Sequence, residues 1–123
     1  MQAYAQAAKF TGPLSSKALI GMHVQPGGGG SLGNATASLT PSAGVEGPVY
    51  FNTSHLPDPT LTTTSNTQGG IIFEVEPGDY EASVAHPTLN CAPQSIFWVG
   101  KDAAHAKIHA VAGYLTVVVF SCY

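Results

Sequence analysis

Apolar and polar residues alternate along most of this chain with a period of two, and that alternation predicts strands. The clearest stretch is GGIIFEVEPGDYEASVAH, residues 69–86. Ile71, Phe73 and Val75 fall on one face, with Ile72, Glu74 and Glu76 on the other. Pro77-Gly78 then reads as a tight turn, because Pro presets φ at the first turn position and Gly accepts a positive φ at the second. Alternation resumes with Tyr80, Ala82 and Val84 opposite Asp79, Glu81 and Ser83. The expectation is a hairpin built on Phe73, Val75, Pro77, Gly78 and Tyr80, packed on further sheet because a hairpin alone is marginal in water.

Other segments repeat the pattern. KALIGMHVQ (17–25) sets Ala18, Ile20, Met22 and Val24 against Leu19, Gly21, His23 and Gln25, a strand buried on one face and half covered on the other. Pro26 and four glycines end it in a loop. Weaker strands are expected over 34–40 and 47–52, and a Thr-rich edge strand over 60–64. QSIFWV (94–99) reads as a strand carrying the only Trp. Residues 103–111 alternate Ala104, Ala106, Ile108 and Ala110 inward against His105, Lys107 and His109. GYLTVVVFSC (113–122) is β-branched and central in character. No long helical period interrupts them. Many short strands at this spacing predict an all-β, Ig-like sandwich of about seven to nine antiparallel strands.

Residues 1–16 stand apart from that body. MQAYAQAA favours helix but is too short to persist alone, and Thr11-Gly12-Pro13 breaks it. The segment is either a loose terminus or an arm that orders against a partner subunit, with Tyr4 and Phe10 among the residues it would bury. The division expected is an arm over 1–16 and a sandwich domain over 17–123.

Composition narrows the function classes. The chain has 123 residues, the size of one domain. Only 9% are charged, against roughly a quarter in average proteins. There is no Arg, and a net charge of -3 with four Lys provides no basic stripe for nucleic acid. No apolar run approaches the ~20 residues of a membrane span. Cys91 and Cys122 lie outside any CxxC motif, which gives redox or zinc chemistry little support. Their placement suits a disulfide tying the last strand to the loop after the hairpin, and hence an oxidising, secreted or cell-surface setting; two reduced thiols are the alternative.

The run Asn66, Gly69 or Gly70, Phe73, Val75, Pro77, Gly78, Tyr80, preceded by a strand and a Gly-rich loop, resembles the carboxypeptidase regulatory-like and transthyretin-like (prealbumin-like) β-sandwich domains of bacterial secreted proteins. The tail 112–122 is similar to their last strand, where a cysteine pairs with an earlier one. The resemblance implies an extracytoplasmic adhesive, accessory or structural module with no catalysis of its own. Collagen-adhesin repeats share the motif and join a Lys to an Asn; Lys17 stands where that Lys could sit, but 114–122 contains no Asn or Asp.

Candidate chemistry is sparse. His105 and His109 share a strand face about 13 Å apart, too far to ligate one metal ion, and read as a solvated patch. Glu74, Glu76, Asp79 and Glu81 read as solvated carboxylates around the turn, with calcium binding as the functional alternative. Trp98 and Tyr50 are candidate ligand aromatics for a glycan, with Tyr114 and Tyr123. Asn34 and Asn52 match the N-glycosylation pattern. The expectation is a protein with no cofactor, no metal and no catalytic residue, which self-associates, even as a filament subunit; a carbohydrate-binding module is the alternative.

Overall fold

The computed structural model describes residues 2–94 and 104–123. The chain is mostly β and forms two sheets. Its elements are α1 (Gln2–Ala7), β1 (Ala18–Pro26), β2 (Thr36–Thr40), β3 (Glu46–Phe51), β4 (Pro57–Asp58), β5 (Gly70–Val75), β6 (Gly78–Ala85), β7 (Cys91–Pro93), β8 (Ala106–Ala110) and β9 (Leu115–Cys122). One sheet has the order β4-β3-β5-β1-β9-β7, the other β2-β6-β8. Ile20, Met22 and Val24 of β1, Ile71, Phe73 and Val75 of β5, and Val118 and Phe120 of β9 share one buried cluster with Leu39 of β2, Tyr80 and Val84 of β6 and Ile108 of β8. The period of two thus sends alternate residues of both sheets into one core.

The strongest sequence signal folds differently from the expected hairpin. β5 pairs with β1 and β3, whereas β6 pairs with β2 and β8. Pro77-Gly78 therefore carries the chain from one sheet to the other. Alternation sets which residues face inward, and is the same whether the next strand lies beside the first or across the core from it. Gly78 takes φ 151°, a value open to Gly. Tyr80 is buried, and its hydroxyl donates to the Glu76 carbonyl at 2.7 Å, tying the start of β6 to the crossing.

Two further expectations are corrected. β1 and β9 run parallel, Leu19 opposite Leu115 through Pro26 opposite Cys122, so the strands are not all antiparallel. Residues 60–64 form no strand. Thr64 is buried and its hydroxyl is committed twice, donating to the Leu32 carbonyl at 2.6 Å and accepting the Ala35 amide at 3.0 Å. Those bonds fold the segment inward and remove the ladder it would have offered. β8 keeps its alternation, although Ala104 before it is exposed. The strand expected over 94–99, with Trp98, falls on residues outside those described, apart from Gln94.

Cys91 and Cys122 form a disulfide joining β7 to β9, where they are register partners. Among the described residues no helix is long and apolar enough to cross a membrane.

Candidate functional site

Residues 2–17 fold back onto the outer face of the six-stranded sheet. Ala and Gln favour helix α1, which ends where Lys9 takes φ 61° and the Phe10 amide bonds the Ala5 carbonyl at 3.0 Å. Ala8, Phe10 and Leu14 pack on Leu19, Val49 and Ile72, a second buried cluster on the far side of the sheet from the core. Tyr4 meets Phe51 edge-to-face with ring centroids 5.3 Å apart. The segment is thus ordered by its own chain, and Tyr4 and Phe10 lie on this chain's sheet. The half-covered second face that the pattern gave β1 is met by Ala8, Phe10 and Leu14 of the same chain, which local sequence did not indicate.

The outer face is laid out in cross-strand rows. Leu115, Leu19, Glu74 and Glu46 form one row; Val117, Gly21, Ile72 and Val49 form the next. The strap formed by residues 8–17 covers the Leu19–Glu74–Glu46 end. Glu74 is therefore 1% exposed, not the solvated carboxylate its alternation with Phe73 and Val75 predicted.

Glu46 reaches this position through a bulge. The β3–β5 register shifts between Glu46 and Val49. Gly47 inside it takes φ 109°, and a Cβ there would stand 2.9 Å from the Ile72 carbonyl oxygen. Only Gly lets β3 approach β5 that closely while turning the Glu46 carboxylate towards Glu74.

The strap donates to both acids. Gly12 N–H donates to Glu74 Oε1 at 2.7 Å. The Thr11 hydroxyl donates to Glu46 Oε2 at 2.8 Å, and the Thr11 amide to Glu46 Oε1 at 3.3 Å. Beside them Lys17 Nζ pairs with Glu76 Oε1 at 2.5 Å. Glu74 Oε2 is buried with no hydrogen-bond partner. Burial pushes the Glu74 carboxyl above its ordinary 4.5; the Gly12 amide opposes this and Glu46 reinforces it. Burial also acts upward on Glu46 and is the largest single influence there, but the Thr11 hydroxyl, a hydrogen bond with Glu74, the Thr11 amide and Lys17 together hold Glu46 below 4.5.

Two carboxylates facing each other only accept. With one proton between them, Glu74 can donate to Glu46, which partners its otherwise orphaned oxygen. A cavity of about 380 Å3 lies under the strap between Phe10, Leu14 and Glu74. Glu74 Oε2 shows no surface to solvent.

The other predicted residues are scattered. Tyr50 is 3% exposed in the core, where its hydroxyl accepts the Ala37 amide at 3.2 Å; this corrects its assignment as a ligand-binding aromatic. Trp98 lies outside the described residues. Tyr114 and Tyr123 are exposed. His109 Nδ1 pairs with Asp79 Oδ1 at 2.7 Å on the exposed face of the three-stranded sheet, beside Glu81 and Lys107. His23 bonds the Gly30 carbonyl and His86 its own turn at Thr88. Among the described residues no group of three or more His, Cys, Asp or Glu could hold a metal ion. Of the two glycosylation-pattern asparagines, Asn34 is exposed, while the Asn52 side-chain carbonyl accepts the Ser54 amide.

Neither a protein-family model nor a curated protein matches this chain. The functional reading therefore stands on the residues themselves. Thr11, Gly12, Lys17, Glu46 and Glu74 were not recognised from sequence as one site. The available signal was a single carboxylate inside the apolar run Ile71–Val75.

Proposed function

We infer that this chain is a non-catalytic, extracytoplasmic β-sandwich of the transthyretin-like kind that works through protein contacts, by association with copies of itself. The observation that carries the reading is the uncovered half of the outer sheet face. Beyond the strap, Val117 is 52% exposed. It walls a shallow trough together with Leu115, opposite Tyr4 and Phe51, over Gly21 and Gly70. Contiguous apolar surface of this kind marks an interaction site. The low charge of the chain removes the repulsion that keeps like copies apart. The disulfide is compatible with an oxidising compartment, and the shared core of the two sheets suits a sandwich.

Sedimentation velocity across a range of concentrations tests this. The wild-type chain is expected to associate, and Val117→Lys to remain monomeric at an unchanged melting temperature. Wild-type chain that stays monomeric at every concentration removes the reading. So does a Val117→Lys variant that assembles as wild type does.

A further inference from the structure

We propose that Glu46 and Glu74 hold one proton between them, and that this singly protonated pair is a pH-sensitive latch for the strap over residues 8–17. The proposal concerns a single copy and does not depend on association.

Three observations carry it. First, Glu46 and Glu74 are direct register partners on adjacent strands. Second, Glu74 Oε2 is buried and unpartnered unless a proton lies between the acids. Third, the strap is bonded to both acids, Thr11 on Glu46 and Gly12 on Glu74. The charged groups around the pair are Glu76 at the end of β5 and Lys17 ahead of β1, already joined to each other. β1 brings Leu19 against Glu74; from the strap, Thr11 and Gly12 bring amide and hydroxyl donors, and the Lys17 charge acts on both acids.

With one proton present, the pair carries a single negative charge, each acid accepts from the strap, and the buried oxygen is partnered. Removing that proton leaves two adjacent carboxylates, one of them buried, and the covered state becomes costly. Adding a second proton removes the charge that makes the Thr11 bonds strong. The signs follow from linkage. Glu74 is raised when the strap is down, so its contribution to docking is present below about 4.5 and is lost as pH rises through the raised value. Glu46 is lowered, so its contribution is present above 4.5 and is lost as pH falls through the lowered value. Docking is therefore tightest between the lowered value of Glu46 and the raised value of Glu74 and loosens on both sides, with the two acids titrating as a pair. Towards neutral pH the lifted strap exposes Leu19, Val49 and Ile72.

The test uses the full chain. Amide exchange of Gly12 is followed from pH 4 to 8 in wild type and in Glu74→Gln, after correction for intrinsic exchange. Gln supplies permanently what the shared proton supplies: an oxygen for Gly12 and a donor for Glu46. Wild-type protection is expected to fall by about tenfold for each unit separating the strap-down and strap-up values of Glu74. Glu74→Gln is expected to stay protected throughout that range. The side-chain carboxyl carbon signals of Glu46 and Glu74 in wild type supply a readout that needs no variant, with midpoints on opposite sides of 4.5. The latch is overturned if wild-type protection is flat, if Glu74→Gln tracks wild type, or if both carboxyls titrate together at 4.5.

Discussion

The Tyr50 hydroxyl accepts the backbone amide of Ala37 at 3.2 Å, and the two residues belong to different sheets. Tyr50 sits on β3 of the larger sheet and Ala37 on β2 of the smaller, so one side chain satisfies a buried main-chain donor across the core. Tyr50→Phe keeps the ring and leaves that donor unpaired. Urea unfolding is expected to show a loss of about 1–3 kcal/mol, with the slope unchanged.

Gly47→Ala should be more damaging than an exposed position suggests. The added methyl meets the Ile72 carbonyl oxygen at 2.9 Å, and φ is 109°. A non-glycine residue in such a conformation costs about 1–3 kcal/mol before any clash is counted. The melting temperature should fall. The Thr11 amide and hydroxyl should also lose their protection, because Glu46 is turned by the same bulge.

Tyr80→Phe removes the bond to the Glu76 carbonyl at 2.7 Å while leaving the ring in the core. A decrease of about 1 kcal/mol is expected in chemical denaturation. A larger loss would show that the crossing between the sheets depends on this bond.

Cleaving the disulfide releases a loop with a separation of 31 residues. The chain-entropy account gives about 3–4 kcal/mol for such a loop. The Cys91→Ser/Cys122→Ser double variant, compared with wild type in denaturant, measures it. Exchange protection is expected to fall first at the paired Asn90 and Tyr123 amides, which bond each other's carbonyls at 3.0 and 2.9 Å.

Alternation along β1, β5, β6 and β8 was legible because it reports only which side of a strand is buried. Sheet membership was not legible. Phe73 and Tyr80 face the same core whether Pro77-Gly78 turns within a sheet or crosses between two. The burial of Glu74 was hidden for a related reason. A carboxylate opposite Phe73 reads as solvated until a distant segment covers it, and residues 8–17 do so through contacts whose local sequence, AKFTGPLSSK, shows only a broken helix. Tyr50 was misread because a polar tip on an aromatic ring suits either a ligand surface or a core with one amide to satisfy. The pairing of Cys91 with Cys122 was legible because their positions left β9 and the loop after β6 within reach of one bridge.

The parallel partnership of β1 with β9 bears on the order of events during synthesis. β1 lies in the interior of its sheet between β5 and β9, and Leu19 finds its neighbour Leu115 only after nearly everything between them has been made. Pairings that join distant parts of a chain are slow to form and leave the early partner uncovered meanwhile. A nascent chain halted before residue 115 would therefore present β1, an interior strand with a fully buried face, with one bare edge, a state for chaperones to recognise.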